Sequence, residues 1–202
     1  ELLLSLAAEL AKLRAETEKA NANKVDQSAT AQDSPGVQAQ NVFANRKALT
    51  IGNDSYKFVQ PLANAREDAK VMADGMRKAG YQVTLLLDQD ERSFKSAIRT
   101  FRSRIEPGDE VALFFAGHGV QLGNVNYLIP LDVAGESEEQ LRDEAIPLQR
   151  LLDDMTDRKA KFTLAMIDAC RDNPFKSQGR AMGGGARGLA PTTAATGQMI
   201  VF

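Results

Sequence analysis

The apolar residues of this chain recur with two different spacings, and the two spacings alternate along the sequence. Short, nearly continuous apolar runs predict buried strands, whereas apolar residues three or four positions apart predict amphipathic helices. In chain order the pattern predicts strand 47–52, helix 62–79, strand 81–87, helix 91–105, strand 111–116, helix 147–155, strand 162–167 and a last strand at 199–202. Strands that alternate with helices indicate an α/β fold, with a mostly parallel central sheet flanked by helices.

The first 45 residues have a different pattern from the rest. Four leucines at helical spacing predict an amphipathic helix over residues 1–20, and two heptads are too few to indicate a coiled coil. Residues 21–45 are rich in Asn, Gln, Ala, Ser and Asp and contain a Pro-Gly pair, which is typical of a flexible linker. The folded domain is therefore expected at 46–202.

Composition and charge narrow the classes of function. The chain has 202 residues and a net charge of −2. It lacks the excess of basic residues that is typical of nucleic-acid-binding proteins, so a nucleic-acid partner is not expected. One cysteine and one histidine exclude an internal disulfide framework and a zinc site of the common Cys/His kinds. No apolar run is long enough to predict a membrane span. No targeting segment is visible, so the location of the protein stays open.

The single histidine and the single cysteine each follow a predicted buried strand. His118 stands in Phe-Phe-Ala-Gly-His-Gly after strand 111–116, and Cys170 stands in Ile-Asp-Ala-Cys-Arg after strand 162–167. The carboxyl ends of parallel strands open into a common crevice, and neighbouring strands lie about 4.8 Å apart. An imidazole close to a thiol can generate the thiolate that attacks a carbonyl group. The sequence thus predicts a nucleophile and its base at one edge of the sheet.

Longer motifs around these two residues resemble one protein family. They run from Lys-Ala-Leu-Thr-Ile-Gly-Asn through Gly-His-Gly and Asn-Tyr-Leu-Ile-Pro-Leu-Asp to Asp-Ala-Cys-Arg-Asp-Asn-Pro-Phe. They are similar to those of the caspase-like cysteine peptidases, whose His lies about fifty residues before the Cys, and within them to the bacterial metacaspase-like (orthocaspase) branch. The resemblance implies a three-layer caspase-like sandwich. It also implies that 46–202 is large-subunit-like and incomplete at its C-terminus, so that a complementary small-subunit-like chain is an expected partner.

The resemblance assigns roles to residues of this chain. It implies that Cys170 is the nucleophile, that His118 is the base and later the acid, and that the backbone N–H groups of Gly119 and Cys170 form an oxyanion hole. Glycine beside the histidine lets a substrate approach the backbone closely, which agrees with that role. No side chain in the sequence is required to orient His118, and in this family a backbone carbonyl is thought to do so.

The resemblance also implies a preference for basic substrates. True caspases carry Gln two residues before the cysteine, whereas this chain has Asp168 there. Metacaspase-like enzymes place two carboxylates in the S1 pocket, and the matching residues of this chain are Asp168 and Asp68. Two buried carboxylates in the S1 pocket would bind Arg or Lys and repel an acidic side chain. Protein and peptide substrates cut after Arg or Lys are therefore expected. Self-cleavage is expected in the glycine-rich segment 176–197, at Arg180 or Arg187.

A metal ion is the only other ligand that the resemblance suggests. Many metacaspases bind calcium through Asp residues, and Asp132 and Asp143 stand near matching positions. Position 177, where another acidic ligand is expected, is Ser. Because calcium needs several oxygen ligands, no cofactor is expected to be required, and calcium is kept as an optional ligand at these two residues.

Two other functions are compatible with the same sequence. A lone cysteine at a strand end is usually a small buried residue, so a catalytically inactive caspase-fold scaffold is the first alternative. The second is a small-molecule or nucleotide-binding α/β domain that uses the same crevice. Its only motif, a G-x-G-x-x-G pattern at 183–188, is preceded by no strand and followed by no helix in the predicted pattern.

Overall fold

The structure is a computed structural model that describes residues 45–169, 174–175, 189–190, 192 and 194–202. Its strands are β1 (Arg46–Gly52), β2 (Gln82–Leu87), β3 (Glu110–Gly117), β4 (Gly119–Leu122), β5 (Val125–Leu128), β6 (Ile146–Pro147), β7 (Phe162–Ala169) and β8 (Gln198–Val201). Its helices are α1 (Ala65–Lys78), α2 (Glu91–Ser103), α3 (Glu138–Glu144) and α4 (Leu148–Asp157). The predicted N-terminal helix and linker lie outside the described residues and stay predictions, as does the three-part division of the chain.

Five of the described strands form the central sheet, in the order β2-β1-β3-β7-β8, and every neighbouring pair is parallel. This confirms the predicted α/β class with a mostly parallel sheet. β3 and β7 are neighbours although two helices and three strands separate them in sequence. Their continuous apolar runs are explained by burial on both faces, because each strand is covered by side chains above and below.

Helices cover both faces of the sheet in the described part of the chain. On one face Leu49, Leu113 and Phe115 of the strands pack with Phe94 and aromatic or aliphatic residues of α2 and α4. On the opposite face α1 packs against β1, β2 and β3, close enough that a Cβ at Gly52 would lie 2.3 Å from the Ala65 carbonyl oxygen. The result is the three-layer sandwich that the resemblance implied.

A second, three-stranded sheet was not predicted. β4 and β5 form an antiparallel hairpin and β6 pairs with β5, giving the order β4-β5-β6. The strands have only two to four residues, which is too short for a reliable alternation of apolar and polar positions. Gly123, with φ of +59°, makes the turn of the hairpin. This sheet follows His118 directly and packs over a second apolar cluster that includes Tyr56, Ile129 and Phe175.

The first helix begins later than predicted. The periodicity starts at Leu62, but α1 begins at Ala65, because residues 53–64 form a loop in which the Leu62 N–H donates to the Asp54 carbonyl at 3.0 Å.

Within the described residues no helix is long and apolar enough to cross a lipid bilayer.

Candidate active site

The strand register brings the two motifs to one edge of the sheet. Ala116 pairs with Asp168 and Gly117 pairs with Ala169 across β3 and β7. The next residue after β3 is His118, and the next residue after β7 is Cys170. Cys170 itself lies outside the described residues, so the structure gives no sulfur–imidazole distance. The described strands show that β3 and β7 end side by side at the same edge of the sheet, directly before His118 and Cys170 in sequence.

The His118 ring is buried and held by a backbone carbonyl. Only 6% of the residue is exposed, and Nε2 lies 2.8 Å from the carbonyl oxygen of Gln60. A carbonyl oxygen can only accept, so Nε2 carries the hydrogen in the neutral ring and Nδ1 carries the lone pair. Among the described residues Nδ1 has no hydrogen-bond partner. The ring is therefore oriented with a free basic nitrogen.

Tyr56 fixes the backbone on which this ring is carried. Its hydroxyl oxygen accepts from the His118 N–H at 2.8 Å and donates its own hydrogen to the Ile129 carbonyl at 3.2 Å. The two rings also contact each other, with centroids 4.6 Å apart and an interplanar angle of 50°. Burial raises the pKa of Tyr56 far above its ordinary value, so the hydroxyl keeps its proton at every physiological pH.

Burial also sets the charge of His118. Desolvation lowers the pKa of the imidazole below its ordinary value of 6.5, and the hydrogen bond to Gln60 opposes this only in part. The ring is consequently neutral near pH 7 in the surroundings that the structure describes. A neutral imidazole is the form that can accept a proton.

The loop that carries Gln60 is tied to the sheet and to α1 by two carboxylates. Asp54 accepts from the N–H groups of Ala65 at 2.8 Å and Arg66 at 3.2 Å, and so caps α1 from a distance in sequence. Asp88, after β2, accepts from the N–H groups of Asp54 at 2.9 Å and Ser55 at 3.1 Å. Burial tends to raise the pKa of Asp88, but these hydrogen bonds outweigh it and hold the pKa below its usual range.

A buried asparagine joins the ends of three strands beside this loop. Asn53 is fully buried, and its N–H donates to the Ala116 carbonyl at 3.0 Å at the end of β3. Its side-chain oxygen accepts from the Gln89 N–H at 2.9 Å, and its Nδ2 donates to the Gln89 carbonyl at 3.3 Å. Sequence reasoning missed this residue, although an Asn directly after a buried strand was a signal that could have found it.

Two glycines flank His118, and neither has room for a side chain. A Cβ at Gly117 would lie 2.6 Å from the Tyr56 hydroxyl and 2.7 Å from Cζ of Phe115. A Cβ at Gly119 would lie 2.8 Å from the side-chain carbons of Leu189. The Gly-His-Gly motif therefore lets Tyr56 approach the backbone at Gly117 and Leu189 approach it at Gly119.

The two predicted specificity carboxylates are near each other but are exposed. Asp168 ends β7 and Asp68 lies in the first turn of α1, and both side chains face solvent. The expectation that they are buried is wrong for the described chain, because no described residue covers them. The pKa of Asp68 is raised, first by partial desolvation and next by the negative charge of Asp168. This coupling places the two carboxylates within electrostatic reach of each other.

The structure describes Asp132 and Asp143, the two residues predicted for calcium. The described residues contain no group of three or more His, Cys, Asp or Glu side chains that could hold a metal ion. One carboxylate oxygen of Asp132 accepts from the Glu91 N–H at 2.8 Å, and the Lys95 ammonium donates to the Asp143 carbonyl at 2.6 Å. An ammonium group beside Asp143 disfavours a cation there. Calcium binding thus has no support from the described residues and stays a prediction.

Two other predicted positions, Arg180 and Arg187, also lie outside the described residues. The segment that contains them is described again at Leu189, Ala190 and Thr192. Asn126 of β5 holds it, with Nδ2 donating to the Ala190 carbonyl at 2.6 Å and Oδ1 accepting from the Ala190 N–H at 3.0 Å. Sequence reasoning did not identify Asn126.

The chain is similar in sequence to known proteins. A family model of the caspase domain of the C14 peptidases matches residues 45–198. Mucosa-associated lymphoid tissue lymphoma translocation protein 1 of Homo sapiens is 24% identical over 132 residues, and its homologue in Mus musculus is 25% identical over 136 residues. Each match covers 65% of this chain, which spans only 16% of the relative's length.

A solved structure gives the same fold. The crystal structure of a Geobacter sulfurreducens protein superimposes with a TM-score of 0.50 at 18% identity, covering 67% of this chain and 54% of that protein. At this identity the likeness shows the architecture alone.

Proposed function

The chain belongs to the C14 caspase domain family, and from this premise we propose that it is a cysteine endopeptidase in which Cys170 is the nucleophile and His118 the base. The observation that carries the proposal is the hydrogen bond between Nε2 of His118 and the Gln60 carbonyl. It leaves Nδ1 as a free acceptor on the residue that follows β3, and β3 is the neighbour of β7, the strand that leads into Cys170. Cysteine and serine hydrolases use a nucleophile, a base and a third group that orients the base. In this chain the third group would be the backbone carbonyl of Gln60.

The reaction follows from these positions. Nδ1 accepts the proton of the Cys170 thiol, and the thiolate attacks the peptide carbonyl carbon to form a tetrahedral oxyanion that the N–H groups of Gly119 and Cys170 stabilise. The C–N bond then breaks, and His118 gives its proton to the departing amine. Nδ1 next accepts a proton from water, whose oxygen attacks the thioester. The C–S bond breaks, which releases the carboxylic acid product and returns the thiolate.

Asp68 and Asp168 are proposed to select Arg or Lys on the amino side of the cleaved bond. Partial desolvation, and next the negative charge of Asp168, raise the pKa of Asp68, and a guanidinium or ammonium group between the two carboxylates would relieve their repulsion. Their exposure supports an open pocket that a substrate side chain enters and covers. Asp168, where caspases carry Gln, also supports assignment to the metacaspase-like or orthocaspase branch.

Self-processing is proposed for the segment 176–197, at Arg180 or Arg187, because a basic residue there would fit the same acidic pocket. A complementary small-subunit-like chain is proposed as a partner. β8 has a neighbour on one side only among the described strands, and Met199 on it is 53% exposed. Such an edge favours pairing with another strand.

The test uses fluorogenic peptides that differ only in the residue before the reporter group, which is Arg, Lys or Asp. The purified chain should cleave the Arg and Lys peptides and leave the Asp peptide intact, and the Cys170→Ala chain should cleave none. Preferential cleavage of the Asp peptide would contradict the specificity. Equal rates for the chain and Cys170→Ala would favour an inactive scaffold, in which case nucleotide-dependent thermal stabilisation would point to the binding-domain alternative.

A further inference from the structure

The Asn126 side-chain amide both donates to and accepts from the backbone of another segment, as the peptide group of a neighbouring strand would. Asn126 is 6% exposed, it lies in β5, and its amide forms two hydrogen bonds with the backbone N–H and carbonyl of a single residue, Ala190. A third bond runs from Nδ2 to the Thr192 hydroxyl at 2.7 Å. Every residue type except proline offers the backbone pair that Ala190 offers. The recognition is therefore independent of sequence, as in binding of an extended peptide.

The same segment covers the backbone beside His118. The Leu189 side chain packs directly on the Cα of Gly119. Gly119 pairs with Leu128, and Gln121 pairs with Asn126, in the β4–β5 hairpin. Because alternate residues of a strand point to the same face, Gly119 and Asn126 lie on one face of this hairpin. Leu189 and Ala190 thus lie along that face, from the proposed oxyanion hole to Asn126.

We propose that this face of the β4–β5 hairpin is a peptide-binding groove, that Asn126 holds the backbone of a substrate there, and that Leu189, Ala190 and Thr192 occupy the groove in the intact chain. The proposal rests on the proposed function, and it adds a binding residue and a competing internal ligand to it. A buried Asn side chain needs partners, and a substrate backbone would supply the same donor and acceptor that Ala190 supplies now.

Competition has a measurable consequence. A ligand binds only the fraction of molecules whose site is open, so its apparent affinity is reduced by that fraction. Weakening the contacts that hold Leu189, Ala190 and Thr192 in the groove should accelerate labelling of Cys170 by reagents that need the groove. Labelling by reagents that do not need the groove should stay unchanged. An irreversible peptide electrophile ending in Arg needs the groove, whereas iodoacetamide is small and reacts with the thiol alone.

The experiment measures the second-order rate of Cys170 labelling by both reagents in four chains. These are the intact chain, Leu189→Gly, Leu189→Gly combined with Asn126→Ala, and the control Val125→Ala, which changes a neighbouring residue that is 37% exposed. Thermal unfolding of each chain shows whether it is folded. Leu189→Gly should label with the peptide electrophile roughly three- to tenfold faster than the intact chain, because the cover over Gly119 is lost.

The combined variant isolates the role of Asn126. It should label with the peptide electrophile roughly tenfold more slowly than Leu189→Gly, while the iodoacetamide rates and the control stay equal to those of the intact chain. An unchanged rate in Leu189→Gly would overturn occupation of the groove, and equal rates in Leu189→Gly and the combined variant would overturn substrate binding by Asn126. Normal iodoacetamide labelling with no peptide labelling in any chain would instead overturn the proposed function, and this inference with it.

Discussion

Nε2 of His118 donates to the backbone carbonyl of Gln60 at 2.8 Å, across 58 residues of sequence. This bond fixes the tautomer of the ring, so that Nδ1 carries the lone pair, on a residue that follows β3 beside the strand β7 that leads into Cys170. Gln60 acts through its backbone, so the geometry depends on the loop 53–64 and not on the Gln60 side chain. The predictions below therefore address the groups that hold this loop and this ring.

Tyr56→Phe should destabilise the fold. Removing the hydroxyl leaves the His118 N–H and the Ile129 carbonyl without this partner in a buried place, which costs about 1–3 kcal/mol of unfolding free energy. Urea denaturation measures the change. Tyr81→Phe is the control, because Tyr81 is half-buried before β2 and its hydroxyl has no hydrogen bond among the described residues. Equal stabilities of the two variants would show that the Tyr56 hydroxyl does not support the site.

Asp54→Ala should lower both stability and activity. It removes the acceptor for the N–H groups of Ala65 and Arg66, a loss of about 0.5–2 kcal/mol in unfolding free energy, and it loosens the loop that carries Gln60. Asn64→Ala is the matched control, since Asn64 occupies the N-cap position of α1 but its side chain makes no capping hydrogen bond. Urea denaturation and peptide hydrolysis should separate the two variants, and equal losses would exclude the capping role of Asp54.

Gly117→Ala should destabilise the fold. The added methyl would lie 2.6 Å from the Tyr56 hydroxyl, so Tyr56 or the backbone before His118 must move, at a cost of about 1–3 kcal/mol. Gly75→Ala in α1 adds the same methyl where nothing lies within 4 Å, and it should stabilise the helix by roughly 0.5–1 kcal/mol. Opposite shifts in melting temperature are expected. A harmless Gly117→Ala would mean that Tyr56 does not pack as described.

Burial of His118 should make the stability of the Cys170→Ala chain depend on pH. In the folded chain the pKa of His118 is lowered below 6.5, so below this pH the unfolded chain binds more protons than the folded chain. The free energy of unfolding should therefore fall as the pH drops from about 6.5 toward the lowered pKa. Urea denaturation of Cys170→Ala with and without His118→Gln measures this. The fall should be smaller with His118→Gln, and identical pH profiles would contradict the assignment.

Asp168→Asn should weaken recognition of basic substrates. We expect kcat/KM for an Arg peptide to fall at least ~10-fold, mainly through KM, because one of two carboxylates that attract the guanidinium is lost. The pKa of Asp68 should also fall, since the charge of Asp168 helps to raise it. Glu67→Gln is the control, because Glu67 is an exposed acid beside Asp68 that pairs with Lys70. Equal losses in both variants would indicate a general charge effect instead of an S1 pocket.

The sequence predicted the parallel sheet, three of the helices and the two strands, β3 and β7, that lead into His118 and Cys170, because long buried strands and amphipathic helices have clear periodicities. It did not predict the β4–β5 hairpin, whose four-residue strands are too short for a periodic signal. Gln60 could not be found at all, since its contribution is a backbone carbonyl that every residue possesses. Asp54 and Asp88 were missed because they act on loop N–H groups whose positions only the folded chain reveals.

The central claim is that the His118 imidazole ionises the Cys170 thiol, and the single cysteine of the chain makes this measurable without interference. The measurement is the rate of Cys170 alkylation by iodoacetamide as a function of pH, in the chain and in His118→Gln. An unperturbed thiol ionises with a midpoint near ~8.5. We predict a midpoint at least about one pH unit lower in the chain, and its return to ~8.5 or above in His118→Gln. The same midpoint in both chains would contradict the account.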